Sequence, residues 1–214
     1  MKFHEKLEAL SEKTIEMGNY SLKMLEDSVK ALKERNGNLA DEIYERRRNL
    51  ADYDTELEER TLKLLTLHQP MATDMRRIAC ILKMLTYLYR IGRYGKDIAK
   101  IAMKFTDKPH FKKLVSIKAM SKIVIEMIQN ALDAFKEGDL NIIEQIEEMD
   151  DEVDELRYSI FREVVSYMIE DTSIITQGAH YLMASRYLER CGDHACKMAE
   201  KIHYMVNGRH VEIK

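Results

Sequence analysis

The chain has 214 residues, with 34 Lys and Arg against 37 Asp and Glu for a formal net charge of −3. Eight glycines and two prolines are less than half of the usual share of about 12%, and sheet-rich folds need both residue types in their turns, so sandwiches, barrels and most α/β folds are disfavoured. The balanced charge gives no basic excess to hold nucleic acid.

Hydrophobic residues at 45% and charged ones at 33% are the mixture of long amphipathic helices. A first helix is predicted over 3–35, ended by the turn signal Asn36-Gly37-Asn38. A second covers 38–68 and stops at Gln69-Pro70, since proline lacks an N–H and restricts the residue before it. A third covers 71–105 and runs into Thr106-Asp107-Lys108-Pro109, the longest loop-like stretch. The fourth, over 112–137, ends at Gly138, with Asp139 as N-cap of the fifth, over 140–169. Asp171-Thr172-Ser173 caps the sixth, over 173–206. Such helices are roughly 40–50 Å long at 1.5 Å per residue.

The halves resemble each other. YLYRIGRYGKDIAK (87–100) aligns with YLERCGDHACKMAE (187–200) at an offset of 100, and ALKERNGNLADEI (31–43) with AFKEGDLNIIEQI (134–146) at an offset of 103. The fold expected is all-α, six long helices in two duplicated antiparallel three-helix bundles, 1–107 and 108–214. On the fifth helix Ile143, Ile146, Met149, Val153, Leu156, Ile160, Val164 and Met168 form a core stripe; on the sixth it is Tyr181, Ala184, Leu188, Cys191, Ala195, Met198, Ile202 and Met205.

Three cysteines, Cys80, Cys191 and Cys196, are an odd number. The N-terminal MKFHEKLEALSEK has no apolar signal core, and no run is long enough to span a bilayer. A reducing cytoplasm with free thiols is the expectation.

Acidic pairs flank both stripes. Asp150 and Asp154 are four apart, with Glu147 three before Asp150; Glu189 and Asp193 are also four apart. At 100° per residue each set shares one sector beside the core. On antiparallel neighbours these carboxylates would converge, and their repulsion would call for hard cations such as Mg²⁺, Mn²⁺ or iron. Spacing alone leaves the alternative of solvated helix faces open.

Three strings narrow the choice. LERCGDHACKMAEKIHYMVNG (188–208) resembles the LERIGDHATNIAE…YxxxG pattern of the PhoU phosphate-uptake regulators. HQPMATDMRRI (68–78) is similar to that family's QPVAxDLRxI, and MDDEVDEL (149–156) to its DDEVDEL. Order, spacing and duplication agree over essentially the whole chain. The resemblance implies two three-helix bundles, metal clusters at acid-xxx-acid motifs, and restraint of phosphate uptake and signalling. It also implies a homodimer, a phosphate ABC transporter ATPase subunit and a PhoR-type sensor histidine kinase as partners, and only peripheral contact with the membrane. Iron, manganese, magnesium and zinc are the candidate ions.

Carried over by position, Asp150, Asp154, Glu189 and Asp193 keep the second-half motif, while Lys197 stands where the pattern has Asn. The first half departs further. Tyr89 and Arg93 replace the second Glu-xxx-Asp, and the offset of 103 puts Arg47 and Ala51 opposite Asp150 and Asp154. Asp97 remains, with Asp52, Asp54 and Glu56 nearby. Loss of the first metal site is expected. Arg47, Arg48, Arg90 and Arg93 then form a candidate basic patch for an anion or an acidic partner surface, against the plainer reading of an ion-paired face. Asp74 suits a helix N-terminus. Arg76 and Arg77 are contact or ion-pair residues. His194 projects away from the acids and is not expected to be a ligand.

No phosphate-binding glycine loop or nucleophile elbow occurs. A non-enzymatic regulator is the leading expectation. The alternatives are a carboxylate-bridged, metal-dependent oxidase-type enzyme, for which Glu200-xx-His203 supplies only one of two required pairs, and a metal-free helical scaffold for another ion transporter.

Overall fold

The computed structural model describes residues 3–213, and these contain helices and turns with no strand. The helices are α1 (Phe3–Glu34), α2 (Gly37–Glu45), α3 (Arg47–His68), α4 (Thr73–Lys104), α5 (Val115–Glu137), α6 (Ile146–Glu170) and α7 (Ile175–Asn207). α1, α3 and α4 pack on one another, as do α5, α6 and α7; α4 lies against α7, and α1 against α5. The all-α, duplicated architecture read from the sequence is the one observed.

The boundaries differ in instructive ways. The second predicted helix is interrupted at Arg46. The Tyr20 hydroxyl of α1 donates to the Arg46 carbonyl at 3.2 Å, and that carbonyl also accepts from the Leu50 N–H at 3.1 Å. Sharing one acceptor between ladder and side chain is a known cause of a helix bend. The Arg46 guanidinium is fixed by Asp27 at 2.7 Å. The fifth predicted helix opens as a 3₁₀ turn, Leu140–Ile143, before α6 begins. Asp139 caps that turn by accepting from the Asn141 N–H at 3.0 Å, as Asn36 caps α2 by accepting from Leu39 N–H at 3.0 Å. Asp171 likewise caps a short 3₁₀ turn, Thr172–Ile174, ahead of α7. At the Gln69-Pro70 break, Gln69 and Ala72 both take positive φ.

The core follows the stripes. All eight apolar residues predicted on α7 are buried, and on α6 Ile146, Val153, Ile160 and Val164 are. Gly95 brings α4 against α1 so closely that a Cβ there would stand 2.9 Å from the backbone of Met24 and Leu25. The segment between α4 and α5 is pinned to both halves. His110 Nε2 donates to the Lys33 carbonyl at 3.0 Å, which leaves Nδ1 to accept from the buried Tyr181 hydroxyl. Gln177 donates to the Pro109 carbonyl at 3.1 Å.

Candidate functional site

α6 and α7 bring four acids to one surface. Asp150 and Asp154 come from α6, Glu189 and Asp193 from α7. Gly192 makes room for the approach: a Cβ there would lie 3.1 Å from Asp150 Oδ1. The acids sense one another. Burial, then the Asp193 and Asp154 carboxylates, push the Asp150 carboxyl up to about 6. Glu189 is raised by burial and Asp193, against the pull of Arg186 and Arg157. Asp193 is raised by loss of solvent around it, opposed by Arg190 and Arg186.

Glu189 carries the sharpest signal. Its side chain is buried; Oε1 takes Arg186, with Arg157 at 3.7 Å, while Oε2 has no hydrogen-bond partner. An unpartnered buried carboxylate oxygen costs on the order of 1–3 kcal/mol or more. A cation beside Asp154 and Asp193 would remove that cost. Among the described residues no three His, Cys, Asp or Glu side chains stand ready as a metal-holding group. The donor set fits a cation, and side-chain rotation about the shared sector would have to complete it.

Glu147 is not brought into this group. It is exposed and lines a separate cleft of ≈ 390 Å³ with Asn141, His203 and Glu212. Glu200 is buried but already held by Lys197 at 2.6 Å and Lys201 at 3.7 Å, and it accepts from the Ile213 N–H at 3.2 Å. Lys197 thus neutralises Glu200 within its own turn. With Glu200 so engaged, Glu200-xx-His203 does not act as a di-iron ligand pair, and the oxidase reading loses its support.

The first bundle holds the matching place. A Cβ at Gly92 would meet Leu50 at 2.5 Å, as one at Gly192 would meet Asp150. Leu50, not Arg47, therefore occupies the position of Asp150, and Asp54 that of Asp154. The offset of 103 holds at the caps Asn36 and Asp139 but has become 100 by Gly92 and Gly192. Three extra residues of α2 and the Arg46 bend absorb the difference.

The four arginines divide. Arg47 and Arg48 are engaged by Glu45 at 2.9 and 3.3 Å, and Arg47 also covers the Tyr44 ring at 4.0 Å. Arg90 and Arg93 line a cleft of ≈ 500 Å³ with Asp54, Glu58, Tyr89, Tyr94 and Asp97. Arg93 stands where the second bundle has Asp193.

One feature escaped the sequence reading. Tyr87 stacks on His194 at 5.6 Å and Tyr94 on Tyr187 at 5.5 Å, with Tyr94 and His194 in contact between them at 5.9 Å. Tyr87 and Tyr187 are equivalent residues, as are Tyr94 and His194, so the seam between α4 and α7 repeats about a pseudo-two-fold axis. His194 lies in this seam, away from the acids. Burial, then Arg90 and Arg190, press its imidazole down to about 4. The matching tyrosine positions were a usable signal.

Relatives agree with the duplicated fold. The PhoU domain family matches the chain twice, over residues 14–102 and 117–202. A phosphate-specific transport system accessory protein PhoU homolog of Clostridium acetobutylicum is 32% identical over 212 residues, 99% of this chain and 97% of that protein. A Caulobacter vibrioides protein of the same description is 34% identical over 207 residues, covering 96% of this chain and 90% of that one. The crystal structure of PhoU from Pseudomonas aeruginosa superposes with a TM-score of 0.93 at 31% identity, over 97% of this chain and all (100%) of that chain. The phosphate transport system regulatory protein PhoU from Streptococcus pneumoniae, at 22% identity and a TM-score of 0.90 over 99% of this chain and 100% of that chain, shares the fold.

Proposed function

This chain belongs to the PhoU family, and we propose that it restrains phosphate uptake by binding other proteins from the cytoplasmic side, with a cation held by its second bundle. The coarser part stands on the family: it is an accessory regulator of phosphate transport and not an enzyme. Among the described residues no helix is long and apolar enough to cross a membrane, which suits a protein that docks on membrane-bound partners. The partners proposed are the ATPase subunit of a phosphate ABC transporter and a PhoR-type sensor histidine kinase, with the chain itself as a homodimer.

The observation that carries the cation is the buried, unpartnered Oε2 of Glu189 beside the Asp154 and Asp193 carboxylates, which also act on Asp150. Those four residues would hold the ion. A bound divalent ion supplies positive charge that offsets their mutual repulsion and fixes α6 to α7. Arg157 and Arg186 orient Glu189 from its other oxygen. Iron, manganese, magnesium and zinc are all candidates by charge. Arg90 and Arg93, which line the cleft of the first bundle, are proposed to meet an anion or an acidic partner surface.

Two measurements test this. Elemental analysis of purified full-length protein should find about one metal per second bundle, lost in Asp150→Asn with Asp193→Asn. Affinity capture from phosphate-replete and phosphate-starved cells should retain a transporter ATPase or a sensor kinase. Recovery of neither would remove the proposed partners, and absence of metal in protein purified without chelator would remove the cation.

A further inference from the structure

One end of the first bundle carries a groove that the proposed function does not use. It lies between the first turns of α1 and the last turns of α3 and holds ≈ 280 Å³. Leu10 and Leu64 are its buried floor. Lys6, Arg60, Lys63 and His68 stand around it, and among the described residues no carboxylate lines it. Helical spacing produces this arrangement: residues 60, 63, 64 and 67 of α3 share one face, as do 6 and 10 of α1. The cations alternate with the leucines, so each long basic stem can lie along apolar surface with its head in water.

The rim is cationic in its contacts as well as its composition. Lys6 Nζ meets His68 Nε2 at 3.5 Å, a ring nitrogen rather than a carboxylate. Glu56, outside the lining, pairs with Arg60 at 2.5 Å. Beside this rim two large apolar side chains face water. Leu67 is 63% exposed, and Met71, in the connection after His68, is 80% exposed, the highest value for a large apolar residue among those described. Apolar tips ringed by Lys and Arg are the pattern of a surface that lies on a membrane, where acyl chains cover the tips and phosphates meet the cations.

We propose that this end of the first bundle binds an anionic phospholipid surface directly. Leu67 and Met71 enter the acyl layer, the leucine floor takes part of one acyl chain, and Lys6, Arg60, Lys63 and His68 meet lipid phosphates. The size of the groove favours a lipid over a partner helix. A docked amphipathic helix inserts several anchors over two turns, and ≈ 280 Å³ is small even beside the roughly 300–1,000 Å³ of small-molecule sites. The contact rests on neither the cation nor the partners proposed above. It would hold the chain at the membrane surface before any protein is engaged.

Full-length protein and phospholipid vesicles test this. The chain has no tryptophan, so Leu67→Trp places a single indole at the tip. Its emission should shift to the blue with vesicles of mixed phosphatidylglycerol and phosphatidylcholine. Binding to those vesicles should be at least about tenfold tighter than to phosphatidylcholine alone and should weaken with salt. Co-sedimentation of the unmodified chain checks that the indole did not create the affinity. Lys6→Gln with Lys63→Gln should weaken it by roughly tenfold or more, while Lys30→Gln with Lys122→Gln, at exposed lysines outside the groove, should change it by less than about twofold. Leu67→Ser with Met71→Ser should also weaken it about tenfold with an unchanged thermal midpoint, because both side chains are already exposed. Equal binding to both kinds of vesicle, or binding that these variants leave intact, overturns the proposal. So does an emission shift given by inorganic phosphate or by an acidic amphipathic peptide but not by vesicles, which would assign the groove to a soluble anion or to a protein partner.

Discussion

The two bundles place different chemistry on one scaffold. At the glycine where each buried helix meets its neighbour, the first bundle packs Leu50 against Gly92 and the second packs Asp150 against Gly192. At the next residue, Arg93 lines the first bundle's cleft while Asp193 joins the acids of the second. The leucine is fully buried and contributes to the core, whereas the aspartate is held against burial and two like charges. The duplication thus preserves shape, and the residue at one equivalent place decides whether that place adds to the core or to the group of acids proposed to hold a cation.

Exchanging the core role should have the largest effect. Leu50→Ala removes a fully buried side chain and is expected to cost about 3 kcal/mol, read as a lowered urea midpoint. The equivalent change, Asp150→Leu, should raise metal-free stability, because it removes a carboxylate that burial and its neighbours disfavour. Destabilisation by both would mean that the two places are not equivalent.

Much of this contrast was legible in the sequence. The rare glycines and prolines located the helix ends, and the stripes on α6 and α7 located the core, because side-chain period alone decides which face is buried. The acids of the second bundle were visible for the same reason. The register of the first bundle was not. An offset that held at Asn36 and Asp139 suggested Arg47 opposite Asp150, and only the Arg46 bend, set by Tyr20 from another helix, moved Leu50 there. Glu147 shares the sector of Asp150 but lies in the first turn of α6, one turn back along the helix, where it is exposed and lines another cleft. The tyrosine–histidine seam needed both halves folded against each other.

Acid titration separates the bundles next. Asp150 titrates in the fold near 6, above its ordinary 3.8. A raised carboxyl contributes stability that is complete below the unfolded value and is lost as pH rises through 6. Metal-free protein should therefore gain stability from this group as pH falls from 7 to 4, by about 1 kcal/mol once solvent screening of the half-exposed carboxyl is counted, and Asp150→Asn should flatten that rise. In the first bundle Asp27 runs the other way. Burial pushes its carboxyl up, but hydrogen bonds from Lys23 and Arg46 outweigh that and hold it below the usual value. Its contribution is present above the unfolded value and is lost as pH falls through the lower folded one. Asp27→Asn should thus weaken the protein at pH 7 and matter little near pH 2. Urea midpoints across pH read both signs.

Restoring an acid to the first bundle gives a constructive effect of similar size. Arg93→Asp would put a carboxylate in the cleft that already holds Asp54, Glu58 and Asp97. It should add a second equivalent of Mn²⁺ binding. At tenfold excess over the new site's Kd that is about 1.4 kcal/mol of stabilisation, or roughly 2–4 °C for a chain of this size. Calorimetric stoichiometry that stays unchanged would show that Leu50, rather than Arg93, is what closes the first site.

The smallest contrast lies at the equivalent caps. Asn36 accepts from the Leu39 N–H to start α2, a nine-residue helix, while Asp139 accepts from the Asn141 N–H to start a four-residue 3₁₀ turn. Loss of a cap costs most where a full helix depends on it, so Asn36→Ala should cost about 1 kcal/mol and Asp139→Ala about half of that. The same inequality explains where the register changes. A well-capped α2 can carry three extra residues between cap and site, and the short turn of the second bundle cannot. If the two alanine variants lower the thermal midpoint equally, α2 gains no more from its cap than the short turn does, and the shift of Leu50 into the place of Asp150 rests on the Tyr20 and Asp27 contacts at Arg46 instead.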